Sequence, residues 1–157
     1  MQPMSAPAST VSANTPPALP ASFARGLAAG KNIFIISSDE ALLAQEAADA
    51  LRQAARQQGF TERQWFTVSG AHFKWGEVLA SGQSQSLFAD KQILELRIPS
   101  GKPGKDGAEA LQALATQLSA NPDTLALITL PRLDQQGKKS AWFLALQGAG
   151  VVLEIPV

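Results

Sequence analysis

The sequence predicts an α/β domain of three layers, a mostly parallel five-stranded sheet covered by helices on both faces. Two observations carry that prediction. Residues 32–36 and 124–130 are continuous apolar runs of strand length, the pattern of strands buried on both faces. Strand-type runs also alternate with stretches of helical periodicity along the chain, and strands joined through helices pair in parallel by right-handed crossovers.

Taken in order, residues 23–30 form a short helical or irregular lead-in to the first strand at 32–36. Ser37 and Glu40 have capping-box spacing, so a helix should begin there. Leu43, Ala47, Ala50, Leu51 and Ala54 recur at helical spacing, Arg52 and Arg56 suit the C-terminal end, and Gly59 is a good stop. Residues 64–68 read as the second strand, and 73–80 as a short helix with Phe73, Val78 and Leu79 inward. After the connection 83–88 comes the third strand, 92–98. Residues 99–107, with two prolines and three glycines, have the composition of a mobile loop. Residues 108–118 place Leu111, Leu114, Ala115 and Leu118 on one helical face, and 121–123 make a turn. The strand at 124–130, a helix over 137–147 carrying Trp142, Phe143 and Leu146, and a last strand at 151–155 complete the series. Trp65, Trp75 and Trp142 lie in periodic segments and are expected to be core or half-buried packing residues.

A length of 157 residues suits one domain with its own core, and 45% hydrophobic residues is ordinary for a globular protein. Thirteen basic and 13 acidic residues give zero formal charge, which argues against a freestanding nucleic-acid binder. The absence of cysteine excludes disulfides, thiolate catalysis and cysteine-based zinc sites, and fits a cytoplasmic setting. Residues 1–22 are rich in Pro, Ala, Ser and Thr and are expected to be a disordered tail, leaving 23–157 as the domain. They do not suit a signal peptide, since the first basic residue is Arg25 and prolines interrupt any apolar region. No apolar run approaches the roughly 20 residues that span a bilayer, so no membrane association is expected.

The usual chemistry of such folds is missing. The first strand–helix turn, where a phosphate loop would sit, reads Ser37-Ser38-Asp39-Glu40, without glycine or lysine and with two carboxylates in place of a phosphate cradle. Asp39 and Glu40 could form half of an acidic magnesium site, but no aspartate ends the third strand to complete it; they suit a helix N-terminus instead. His72 is the sole histidine, and no G-x-S-x-G elbow accompanies it. It reads as a solvated loop residue, and Lys138 and Lys139 as a solvated basic spot. No cofactor, metal or catalytic residue is expected.

What stands out is the connection Gln83-Ser84-Gln85-Ser86-Leu87-Phe88. Connections run over the surface, where a Leu-Phe pair is unfavourable unless something covers it. The cover is either the domain's own core or another protein, and the pattern alone leaves both open.

The run Trp75-Gly76-Glu77-Val78-Leu79, then Gln83 to Phe88 and Ala89-Asp90-Lys91-Gln92, an apolar strand and Pro99, resembles the delta subunit family of bacterial DNA polymerase III. Ser38 to Glu46, Gly59-Phe60 and Ser140-Ala141-Trp142-Phe143 also match in place, so the resemblance covers about residues 28–157. It implies a degenerate AAA+-like domain of P-loop NTPase type, without a working ATP site, in a clamp-loader subunit for DNA replication that binds the ring-shaped sliding clamp and helps open it. Such a subunit is no enzyme by itself, although the parent holoenzyme is a DNA-directed DNA polymerase, a nucleotidyltransferase. The family's clamp-binding segment places Leu87 and Phe88 as anchors in a hydrophobic pocket, Gln83 as a hydrogen-bonding partner and Ser86 as a positioning residue. The implied partners are the clamp (beta subunit) and, in the full-length protein, the other loader subunits, with DNA reached only through the assembled loader. The family continues into a lid and a helical collar domain that this chain lacks, so clamp contact is expected of it and stable entry into the loader is not. Two other classes stay open: a small α/β nucleotide- or phosphate-dependent switch or enzyme with an unrecognised site, and a scaffold whose Leu-Phe pair docks on a different partner.

Overall fold

A computed structural model describes residues 18–70, 72–83 and 91–155, with Gln83 described in its backbone only. The two apolar runs become the strands at the centre of the sheet: β1 (Ile33–Ser38) is buried throughout, and β4 (Thr124–Leu130) at all but one position. The other strands are β2 (Phe60–Thr67), β3 (Lys91–Arg97) and β5 (Val151–Ile155), in the order β2-β3-β4-β1-β5. Every pairing is parallel. β2 and β5 form the edges, and β2 carries a register shift between Phe60 and Glu62. Among the described residues no helix is long and apolar enough to cross a membrane.

Helices cover both faces. On one, α1 (Ala21–Ala28) and α2 (Ala41–Gln57) set Phe23, Ala47, Ala48, Leu51 and Ala55 against Phe34, Ile36, Leu125 and Leu127. On the other, α3 (Trp75–Gln83), α4 (Gly104–Ser119) and α6 (Ala141–Ala149) set Val78, Leu111, Leu114, Trp142 and Leu146 against Ile33, Ile35, Leu94, Leu96 and Ile128. Just past the end of α2, Gly59 has a φ of 99°, a conformation that L side chains rarely adopt, and it turns the chain into β2.

Several boundaries differ from the sequence expectation for identifiable reasons. α1 begins at Ala21, inside the segment assigned to the tail; residues 1–17 lie outside the described residues. The capping box does not form. Ser37 Oγ instead donates to the Pro131 carbonyl, and Ser38 Oγ accepts from the Glu40 N–H at 2.9 Å. Leu43 is 47% exposed, because the stripe of α2 that meets the sheet falls on alanines and Leu51. Trp65 points outward from the edge strand and is 66% exposed, whereas Trp75 and Trp142 are buried as expected. β2 starts earlier than expected, at Phe60, because its polar first half pairs along one side only. α4 starts at Gly104, within the expected loop. Gly107 allows this, since a Cβ there would lie 2.6 Å from the Trp75 ring and 2.7 Å from Pro103 Cβ. The expected helix at 137–147 is two helices, α5 (Gln135–Lys138) and α6, with Asp134 capping the Gly137 N–H at 2.7 Å.

Candidate functional site

Of the residues singled out for partner binding, Ser86, Leu87 and Phe88 lie outside the described residues, as does the Gln83 side chain. The backbone that delivers them is described on both sides. α3 has nine residues, too few to be stable alone, so its last turn depends on contacts from outside the helix. Three side-chain amides from elsewhere in the fold reach its end. Asn121 Nδ2 donates to the Gly82 carbonyl at 2.8 Å, Gln92 Nε2 to the Ser81 carbonyl at 2.7 Å, and Gln117 Nε2 to the Leu79 carbonyl at 3.0 Å. Gly82 permits this closeness, since a Cβ there would stand 2.6 Å from Gln117 Nε2 and 3.1 Å from Leu114 Cδ1.

The network continues sideways. Ser81 Oγ donates to Gln64 Oε1 at 2.9 Å, Gln64 Nε2 to Gln92 Oε1 at 3.3 Å, and Gln92 Nε2 reaches Thr124 Oγ1 at 3.2 Å. Gln92 is also the second residue of β3, and its N–H donates to the Asp123 carbonyl at 2.9 Å. Beside it, the Lys91 ammonium stands 5.1 Å from the centre of the Phe60 ring. One residue thus ties the end of α3 to the start of β3. Both flanks of the segment 84–90 are fixed at the amino-terminal edge of the sheet. Asn32 strengthens that edge, its Nδ2 lying 2.8 Å from the Leu118 carbonyl and 2.9 Å from the Thr124 carbonyl.

The carboxyl-terminal edge, where ligands of open α/β sheets bind, is built differently. β1 ends at Ser38 and α2 begins at Ala41, so only Asp39 and Glu40 connect them. The Glu40 N–H is taken by Ser38 Oγ, and Asp39 Oδ1 accepts from the Arg132 N–H at 3.1 Å. A connection this short has no loop of free amides to wrap a phosphate, and its side chains are anionic. Elsewhere, His72 is exposed, and Lys138 pairs with Glu154 at 2.8 Å. The hydrogen bond from Lys138 holds the Glu154 carboxyl below its ordinary value.

Sequence reasoning missed one charged cluster. Glu95, in the middle of β3 and 6% exposed, is bound by Arg52 through Nε at 2.6 Å and Nη2 at 2.9 Å, and by Arg63 Nε at 2.6 Å. Burial pushes the Glu95 carboxyl up; hydrogen bonds from Arg52 and Arg63, with their charges, outweigh it and hold the group below the ordinary carboxylate value. Arg52 also pairs with Asp49. A glutamate inside an apolar strand signals that it needs a partner, but only the fold brings α2 and β2 to it.

Comparison with known proteins bears on these features. Residues 34–156 match the family model described as DNA polymerase III, delta subunit. The chain is 32% identical over 118 residues to the DNA polymerase III subunit delta of Escherichia coli (strain K12), a match covering 75% of this chain and 34% of that protein. It is 31% identical over 123 residues to the Haemophilus influenzae subunit delta, covering 78% and 34% respectively. The chain therefore spans about a third of the length of these curated relatives. In structure it is similar to the DNA clamp loader delta protein (YqeN) of Bacillus subtilis, with a TM-score of 0.62 and 15% identity over 85% of this chain and 41% of that one, a likeness of fold.

Proposed function

The chain belongs to the DNA polymerase III delta subunit family, and on that premise we propose that it acts in DNA replication as the clamp-binding domain of a clamp-loader subunit. Leu87 and Phe88 are the anchors that enter a pocket on the sliding clamp, Gln83 hydrogen-bonds beside them, and Ser86 sets their direction. Contacts with the other loader subunits, and through them with DNA, belong to the same proposal, as do assistance in opening the ring and a cytoplasmic location. The observation that best supports it is the frame around 84–90. Gln92, Gln117 and Asn121 fix the end of α3, and Gln92 fixes the start of β3. A binding segment held at both ends loses less freedom on association. The two-residue connection after β1, carrying Asp39 and Glu40, supports a domain that neither binds nor hydrolyses ATP.

Retention of the chain on immobilised, purified sliding clamp tests the proposal. Burying a leucine and a phenylalanine contributes roughly 1.5–3 kcal/mol each. Replacing both Leu87 and Phe88 by alanine is thus expected to weaken binding by at least about a hundredfold, with the far-ultraviolet circular dichroism and melting temperature unchanged. A double variant that unfolds would instead place the pair in the domain's own core. Wild-type chain that is not retained points to another partner. Saturable binding of nucleotide with magnesium would favour a nucleotide-dependent switch.

A further inference from the structure

Helices leave part of one sheet face open. Over β2 and β3, beside the N-terminal half of α2, runs a groove of about 860 Å³ lined also by Pro99 and Pro131. Trp65 stands in it, 66% exposed, with the Arg63 guanidinium 5.3 Å from the ring centre. Register places Trp65 beside Glu95 and Thr67 beside Arg97. We propose that this groove is a second docking surface, whose occupant is an acidic segment of a partner protein carrying an apolar side chain next to a carboxylate.

The charges select that occupant. Three carboxylates line the groove, and each is engaged: Glu95 by Arg52 and Arg63, Asp49 by Arg52, and Asp39 by the Arg132 N–H. Arg97 also lines it and is exposed, and among the described residues its side chain has neither a hydrogen bond nor an ion pair. One uncommitted cation in the same groove as a largely exposed indole matches one carboxylate beside one apolar side chain. Tryptophan and arginine are the residues that most often dominate protein–protein binding. A polynucleotide fits worse, because it brings a phosphate with each base and would meet three carboxylates with one cation to spare. The buried Glu95 also holds Arg63 in place over the indole, so the platform is rigid before the occupant arrives.

The test uses the whole chain on an array of short peptides in which leucine or phenylalanine adjoins aspartate or glutamate. Each peptide is paired with a copy whose acids are lysine. The acidic members are expected to retain the chain and the lysine copies to fail. Trp65→Ala should lower retention by at least about tenfold. Arg97→Glu, at an exposed position, should transfer retention to the lysine copies. Trp75 and Trp142 are buried, so acrylamide-quenchable emission reports Trp65 and should become protected when peptide binds. The Leu87 and Phe88 double variant should leave all of this unchanged, which separates this surface from the clamp-binding segment. No retention on any peptide, equal retention of both charge types, or retention insensitive to Trp65→Ala overturns the proposal. Binding of oligo(dT), lost in Trp65→Ala while no peptide binds, overturns it in favour of nucleic acid.

Discussion

Replacing Gln92 with leucine tests the frame at the end of α3 most directly. The side chain is 6% exposed, and leucine is close to it in volume, so the cavity effect is small. Three hydrogen bonds disappear, but not with equal consequence. Gln64 is exposed and regains water. Thr124 keeps its hydroxyl contact with Asn121 Nδ2 at 3.2 Å. The Ser81 carbonyl, on a buried residue, loses its 2.7 Å donor. One orphaned buried carbonyl costs about 1–3 kcal/mol. The more apolar side chain returns up to about 1 kcal/mol, the worth of a buried methylene. A net loss of about 1–2 kcal/mol follows, equivalent to a fall of about 3–6 °C in melting temperature for a domain of this size. Urea unfolding measures the total. Hydrogen exchange locates it, because the amides of the last turn of α3 should exchange faster while those of β1 and β4 keep their protection relative to the global limit. An unchanged urea midpoint, or exchange that rises equally everywhere, would refute the idea that Gln92 holds the helix end.

Glu95→Gln should cost about 1–3 kcal/mol in urea unfolding, since it leaves Arg52 without its bidentate partner, while Arg63, half exposed, regains water. The wild-type Glu95 carboxyl lies below its ordinary 4.5 in the folded state, so its contribution is complete above that pH and is lost as pH falls through the lowered value. A stability profile taken downward from pH 7 should therefore fall more steeply for the wild type than for Glu95→Gln once pH passes below the carboxylate range. Gly150→Ala should destabilise most, because the new Cβ would collide with the Ile33 backbone carbonyl and lie 2.7 Å from Ile33 Cβ on the central strand. A loss of about 3 kcal/mol or more in urea unfolding is expected, at or above the upper range for overpacking, since backbone cannot swing aside.

The central strands were legible because β1 and β4 are covered on both faces, and continuous burial leaves a continuous apolar run. The edge was not. β2 pairs on one side only, and its residues Glu62, Arg63 and Gln64 have no apolar pattern to announce them. The same property hid Trp65, whose residue type suggests packing while its place on an edge strand leaves it in solvent. The N-terminal turn of α4 looked like a loop because Pro103, Gly104 and Gly107 are turn residues in isolation. Gly107 serves instead to let the Trp75 ring lie against a helix, a tertiary reason invisible in the local sequence. The site divides along the same line. Leu87 and Phe88 could be singled out from the chain because an apolar pair in a connection is locally odd. Gln92, Gln117 and Asn121 look like ordinary polar residues until the fold brings three amides to the end of one helix.

That division has a physical consequence for the clamp-binding role proposed for residues 84–90. A nine-residue helix has no intrinsic reason to end at a fixed place, and a frayed last turn would let the chain beyond it wander. Hydrophobic packing cannot prevent fraying at the carbonyl end, because it is non-directional and leaves the carbonyls unpaired. Directional amide donors can, and here they come from β3, from α4 and from the turn before β4, three elements anchored in the core. The edge that starts β3 and β4 therefore also holds the last described turn of α3. On the proposed reading, a clamp-binding segment gains from such a frame, because its two flanks are already fixed when the domain folds and need not be ordered when the clamp is bound.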